Sequence, residues 1–188
     1  MREARLSTGR AAIPPPGLAG ATSGPGSTLF VAIEGYAALF GRADLSGDVI
    51  EPGAFAASLM RRGPEAIRML WHHDPARPVG RWTTIREDRL GLYAKGEIAV
   101  SAAAGHEAAA LIAAGALDGL SIGFRAKLAR RASPPNRRRL VTIDLWEISL
   151  VSFPMQEGAR LRAPGAPGIP GLPAFARVSA AGRPAGAA

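Results

Sequence analysis

The chain has no cysteine in 188 residues. Disulfide bridges, thiolate metal sites and a thiol nucleophile are therefore excluded, and the absence fits a cytoplasmic protein. Histidine is scarce too. The three present are His72, His73 and His106, and His106, inside an expected helix, reads as solvated. Aromatic residues make up only 6%, few for stacking nucleic-acid bases, and there is neither a zinc-ligand pattern nor a recognition-helix signature. No apolar run is long enough for a signal peptide or a membrane span: Ala99 to Leu117 is interrupted by Ser101, Gly105, His106, Glu107 and Gly115. The expectation is a protein that is neither secreted nor inserted in a membrane.

What is present indicates one globular domain. Apolar residues account for 47% of the chain, enough for a substantial core at this length. Lysine and arginine number 23 against 15 aspartates and glutamates, a net charge of +8, which favours acidic partners. The weighting toward alanine, arginine, glycine and proline is also what a GC-rich genome produces, so charge alone is a weak functional signal. Residues 1–27 and 160–188 are dominated by Pro, Gly, Ala, Ser and Arg and read as flexible tails around a folded body at 28–159.

Within that body, 29–40 reads as a strand and 41–47 as a reversal. Pro52 opens a helix through Arg62, stopped by Gly63-Pro64. Residues 66–71 are extended, and 79–85 with 90–98 form a hairpin around Glu87-Asp88-Arg89. Ser101 is the expected N-cap of a helix over 102–114, ended by Gly115. Strands follow at 121–128 and 140–151, joined by the polar loop 130–139, whose Pro134-Pro135-Asn136 cannot continue a ladder. About six or seven strands and two non-alternating helices argue for a mainly antiparallel sheet or barrel with the helices packed outside.

Three segments carry candidate chemistry. The first is Trp71-His72-His73-Asp74-Pro75 with Pro78-Val79-Gly80 behind it. In an extended 66–74, alternation puts Ile67, Met69, Trp71 and His73 on one face. His73 is then the imidazole against apolar walls, and desolvation would lower its pKa and keep it neutral near pH 7, as a general base requires. The second is Gly119-Leu120-Ser121-Ile122-Gly123, which matches the G-x-S-x-G pattern of the α/β-hydrolases letter by letter. That elbow needs a strand before the serine and a helix after it. Here the order is reversed, so the elbow is rejected and the serine kept. The third is Ile143 to Val151, where alternation groups Glu147 with Ile143, Leu145, Ser149 and Val151. A carboxylate facing inward needs a partner, and an imidazole N–H is one; Asp144, Asp74 and a pairing of Glu147 with arginine remain alternatives.

Together these segments resemble the prohead proteases of tailed phages. The resemblance rests on His73-Asp74 with Pro78-Val79-Gly80, then Gly115-Ala116-Leu117 and Gly119 to Phe124, then Glu147-Ile148-Ser149-Leu150-Val151 and Pro154. Gly35-Tyr36-Ala37, Phe40, Asp48-Val49-Ile50 and Pro52-Gly53-Ala54-Phe55 are similar to that family's opening segment. The resemblance implies a closed, mainly antiparallel barrel related to the herpesvirus capsid-maturation protease. It implies a serine endopeptidase with Ser121 as nucleophile, His73 as base and then acid, and Glu147 as orienting acid, with no metal or organic cofactor.

The substrate it implies is the scaffold, or the scaffold-like arm of the major capsid protein, cut inside assembling proheads of a phage, a prophage or a gene transfer agent. Self-cleavage and dimerisation are further expectations of the same resemblance. The contrasting readings are a basic binding module built on Arg125, Lys127, Arg130, Arg131 and Arg137-Arg138-Arg139, and a catalytically inactive capsid-assembly component.

Overall fold

The structure is a computed structural model that describes residues 29–162. The tail expected over 1–27, and residues 163–188 of the tail expected over 160–188, lie outside the described residues. The described chain forms β1 (Phe30–Leu39), β2 (Asp48–Ile50), α1 (Ala56–Arg62), a 3₁₀ turn (Pro64–Ala66), β3 (Arg68–Trp71), β4 (Asp74–Glu87), β5 (Gly91–Ala99), α2 (Ala103–Ala113), β6 (Gly119–Arg131), β7 (Arg138–Val151) and β8 (Leu161–Arg162).

All eight strands belong to one curled sheet. The long β7 is its spine. One edge of β7 pairs antiparallel with β6, while the other pairs in parallel with β2 at Arg138 to Leu140 and with β3 at Glu147 to Leu150. The sheet continues through antiparallel β3–β4, β4–β5, β5–β1 and β1–β8 pairs. Its concave side is filled by Ile33, Phe55, Met69, Trp82, Leu92, Ile98, Leu120, Ile143, Leu145 and Ile148, each 2% exposed or less. Helix α1 is tied to β7 by the Leu145 N–H, which donates to Ser58 Oγ at 2.9 Å. Helix α2 reaches β4 and β5 because Gly105 has no side chain: a Cβ there would lie 2.1 Å from the Ala99 carbonyl oxygen.

Four expectations are corrected. The barrel is open: β1 and β6 do not form a ladder with each other. Their seam is spanned at one end by the two-residue β8, by a bridge between Gly119 and Arg160 and by the Leu120 N–H donating to the Ala159 carbonyl. The strand is too short, and 152–158 too irregular, to complete closure. Helix α2 is entered from Ala102 with no side-chain cap, so Ser101 does not play that part, and α1 begins at Ala56 after a turn that takes up Pro52. The polar loop is shorter than expected, because Arg130, Arg131, Arg138 and Arg139 still pair across the β6–β7 ladder.

The folded unit also continues past Ala159, for Leu161 is 1% exposed and paired with Gly35. Leu161→Ala should therefore lower the unfolding free energy by about 2–5 kcal/mol in urea titrations. An unchanged midpoint would mean that β8 does not hold the seam.

Candidate active site

The parallel pairing of β3 with β7 decides where the histidines go. Trp71 ends β3 opposite Leu150 and also opposite Asp74 of β4, leaving His72 and His73 as a two-residue hairpin turn. Both have positive φ, 47° and 63°, the pattern of a type I′ turn, usually made by Asn-Gly. Left-handed backbone at two non-glycine residues is strained and has to be held by its surroundings. The His72 N–H is held by the Leu150 carbonyl at 3.0 Å and the His73 N–H by Ser149 Oγ at 3.2 Å.

His73 is thus set by a turn and not by strand alternation. Its Nδ1 lies 2.5 Å from Glu147 Oε1. With the carboxylate ionised, Nδ1 carries the proton and donates it, leaving Nε2 as the free acceptor. The side chain is 43% exposed, and that of Glu147 12%. The hydrogen bond to Glu147 raises the His73 pKa above 6.5 against an opposing desolvation, and the negative charge of Glu147 raises it further. The expected lowering by apolar walls is overturned, because a carboxylate stands beside the ring and much of the ring meets solvent.

Glu147 reaches this place through a break in alternation. Gly123 faces Glu147 but Phe124 faces Leu145, so β7 carries an extra residue at Trp146. Ile143 and Leu145 line the core before the bulge, and Ile148 and Leu150 after it. The change of phase turns Glu147 and Ser149 to the opposite face. Glu147 therefore does not point inward with Ile143 and Leu145 as uninterrupted alternation implied. Its carboxylate lies across β6, where a Cβ at Gly123 would fall 2.0 Å from Oε1; glycine is what lets the acid lie there.

Ser121 is directly opposite Ser149 in the β6–β7 ladder, so their side chains share the face that carries Glu147, with Cβ atoms about 4.5–5.5 Å apart. It is 6% exposed and contributes to the wall of a cleft in the open seam, together with Ala37, Asp44, Ile50, Ile122, Phe124 and Gln156 among others. The Gln156 amide is held in that lining by donating to the Leu39 and Arg42 carbonyls and accepting the Leu39 N–H. The structure thus brings His73 and Glu147 into contact and sets Ser121 on the same face. Among the described residues, no hydrogen bond joins Ser121 Oγ to His73.

The alternative acids are engaged elsewhere. Asp74 accepts the Ala76 N–H at 2.9 Å. Asp144 accepts from the Trp146 indole N–H and from Arg61 and Arg62, contacts that hold its carboxyl below the usual carboxylate range, the Trp146 bond foremost. Of the basic cluster, Arg138 pairs with Asp48 and Arg139 with Glu51. Arg125, Lys127, Arg130, Arg131 and Arg137 are exposed on the outer half of the β6–β7 hairpin. Sequence reasoning passed over Ser149, and it did not foresee that Gly123 makes room for the Glu147 carboxylate. The signal for Ser149 was there, as a hydroxyl two residues beyond Glu147.

With this geometry, comparison with known proteins is informative. Residues 22–165 match the caudovirus prohead serine protease family, and the chain belongs to it. The prohead protease of Enterobacteria phage HK97 is 33% identical over 131 residues, 69% of this chain and 58% of the phage protein. The chain thus spans somewhat over half the length of that relative. Two solved structures are similar at lower identity. KSHV protease in complex with a hexapeptide phosphonate inhibitor gives a TM-score of 0.48 at 16% identity, over 71% of this chain and 64% of that one. Varicella-zoster virus protease gives 0.46 at 17% identity, with the same coverage.

A raised folded-state pKa means that the His73–Glu147 pair contributes its full stability below the unfolded value of about 6.5 and loses it as pH rises through the folded value. Urea unfolding of the protein and of Glu147→Gln between about pH 6 and pH 9 should give stabilities that differ most at the acid end and converge on the alkaline side. A difference that grows with pH would contradict the pairing.

Proposed function

We propose that the chain is a serine endopeptidase that works inside assembling proheads, cutting the scaffold or the scaffold-like arm of the major capsid protein, and also itself. Membership of the prohead protease family supports the class of activity. The observation that carries the assignment of residues is the 2.5 Å contact between His73 Nδ1 and Glu147 Oε1, made on the sheet face to which Ser121 also belongs.

In this reading Ser121 Oγ attacks the scissile carbonyl carbon while His73 Nε2 takes its proton. Glu147 fixes the tautomer that leaves Nε2 free and stabilises the imidazolium that forms. Collapse of the tetrahedral intermediate passes that proton to the leaving amine. Water then attacks the ester, again with His73 as base, and frees Ser121. The carboxylate makes the imidazole a stronger base than an unpaired one, and a smaller fraction of it is neutral at pH 7. Ser121 and His73 complete their contact when substrate is bound, as catalytic hydrogen bonds often do. The open seam beside Ser121 gives an extended peptide access, and its walls are mostly apolar, with Asp44 and Gln156 as polar exceptions.

The second reading, a basic module without catalysis, is favoured by one observation. The β6–β7 hairpin carries seven cations with no acid between them in sequence, and five of these, Arg125, Lys127, Arg130, Arg131 and Arg137, are exposed on it while Arg138 and Arg139 pair with Asp48 and Glu51. Within the protease reading this hairpin is an arm that meets an acidic stretch of scaffold, and the active assembly is a homo-oligomer.

Coexpression with the neighbouring capsid protein, followed by intact-mass analysis, separates the two. Truncated products should appear with the natural sequence and vanish with Ser121→Ala or His73→Ala. Glu147→Gln should slow their appearance by about 10²–10⁴-fold. Unchanged truncation by Ser121→Ala would remove the proposed nucleophile, and salt-sensitive binding to capsid protein without any truncation would favour the basic module.

A further inference from the structure

The geometry points to Ser149 as a positioning residue that sets the working orientation of both His73 and Glu147, an inference that rests on the reading of this pair as catalytic. Its hydroxyl is fully buried, at 0% exposure, and has two partners. It donates to Glu147 Oε2 at 2.5 Å and accepts the His73 backbone N–H at 3.2 Å. The direction is forced, since a peptide N–H can only donate and the hydroxyl proton is left for the carboxylate.

Each bond constrains a different part of the pair. Glu147 is gripped at both oxygens, Oε2 by Ser149 and Oε1 by the imidazole, and lies in the space left free by Gly123. The other bond secures the second residue of a turn whose two positive φ angles need outside support. One oxygen atom therefore ties the backbone that carries the imidazole to the carboxylate that orients it. Because Ser149 also faces Ser121 across the ladder, it registers the pair against the proposed nucleophile.

Alanine at this position removes one oxygen and leaves a side chain that fits the strand. The first measurement is the NMR titration of the His73 imidazole in full-length Ser121→Ala protein, with and without Ser149→Ala. The second is the rate at which a fluorophosphonate probe labels Ser121 in chains that retain it. Ser149→Ala should stay folded by circular dichroism, move the His73 titration down toward 6.5 and slow labelling by about 10- to 100-fold. Ser149→Thr, which keeps the hydroxyl, should restore both.

The inference is overturned if Ser149→Ala leaves the titration and the labelling rate within about twofold of the parent, a change far below the hundredfold that misplaced groups produce. Loss of the folded state in Ser149→Ala would overturn it as well, by making the residue structural. Failure of the catalytic reading looks different: Ser121 would not label, or would label equally well in His73→Ala. The titration would then still decide whether Ser149 positions the pair.

Discussion

The hydrogen bond between the His73 imidazole and the Glu147 carboxylate is the interaction on which the candidate site depends, and it is a product of sheet topology. Parallel pairing of the short β3 with β7 delivers the turn at 72–73 to the C-terminal end of β7, beside the first residues of β6. The bulge at Trp146 then turns Glu147 out of the core to meet it. Neither residue would reach the other if β7 kept strict alternation or if β3 ran on through the histidines. Burial of the core strands provides the stability, and local departures from regularity provide the site.

The electrostatic consequence differs from that of a histidine in an apolar pocket. Desolvation alone would have kept the ring neutral at the expense of basicity. The carboxylate partner does the reverse, fixing one tautomer and making the ring more basic. Such a pair favours proton uptake from a hydroxyl and stabilises the cation formed on the way, which is the demand that acyl transfer makes on a base. The strain of two left-handed histidines belongs to the same arrangement, since a relaxed Asn-Gly turn would carry no imidazole.

Much of the fold was legible in the sequence because its signals are local. Hydrophobic alternation marked β4, β5 and the core of β7, and Gly63 and Gly115, both at positive φ, ended the two helices where glycine stops predict. The open seam was not legible, for closure depends on whether a two-residue strand near the end of the described chain pairs with β1 and meets β6, a long-range contact without local pattern. For the site, the residue types and their order marked His73, Ser121 and Glu147 as candidates. The reasons given for two of them did not survive. His73 was assigned through an extended segment that is in fact a turn, and Glu147 through an alternation that the bulge interrupts. Bulges and tight turns are decided by pairing across strands, which one strand's sequence does not contain. Ser149 was overlooked for the same reason: its two partners come from different elements.

Membership of the prohead protease family and the geometry of the pair meet in one claim, that Ser121 is a nucleophile served by His73. The most direct test is a crystal structure of the chain after reaction with a fluorophosphonate. The account predicts phosphorus bonded to Ser121 Oγ, with His73 Nε2 within hydrogen-bond distance of the adduct and Nδ1 still on Glu147. An adduct on another residue, or on Ser121 with His73 turned away from it, would contradict the account.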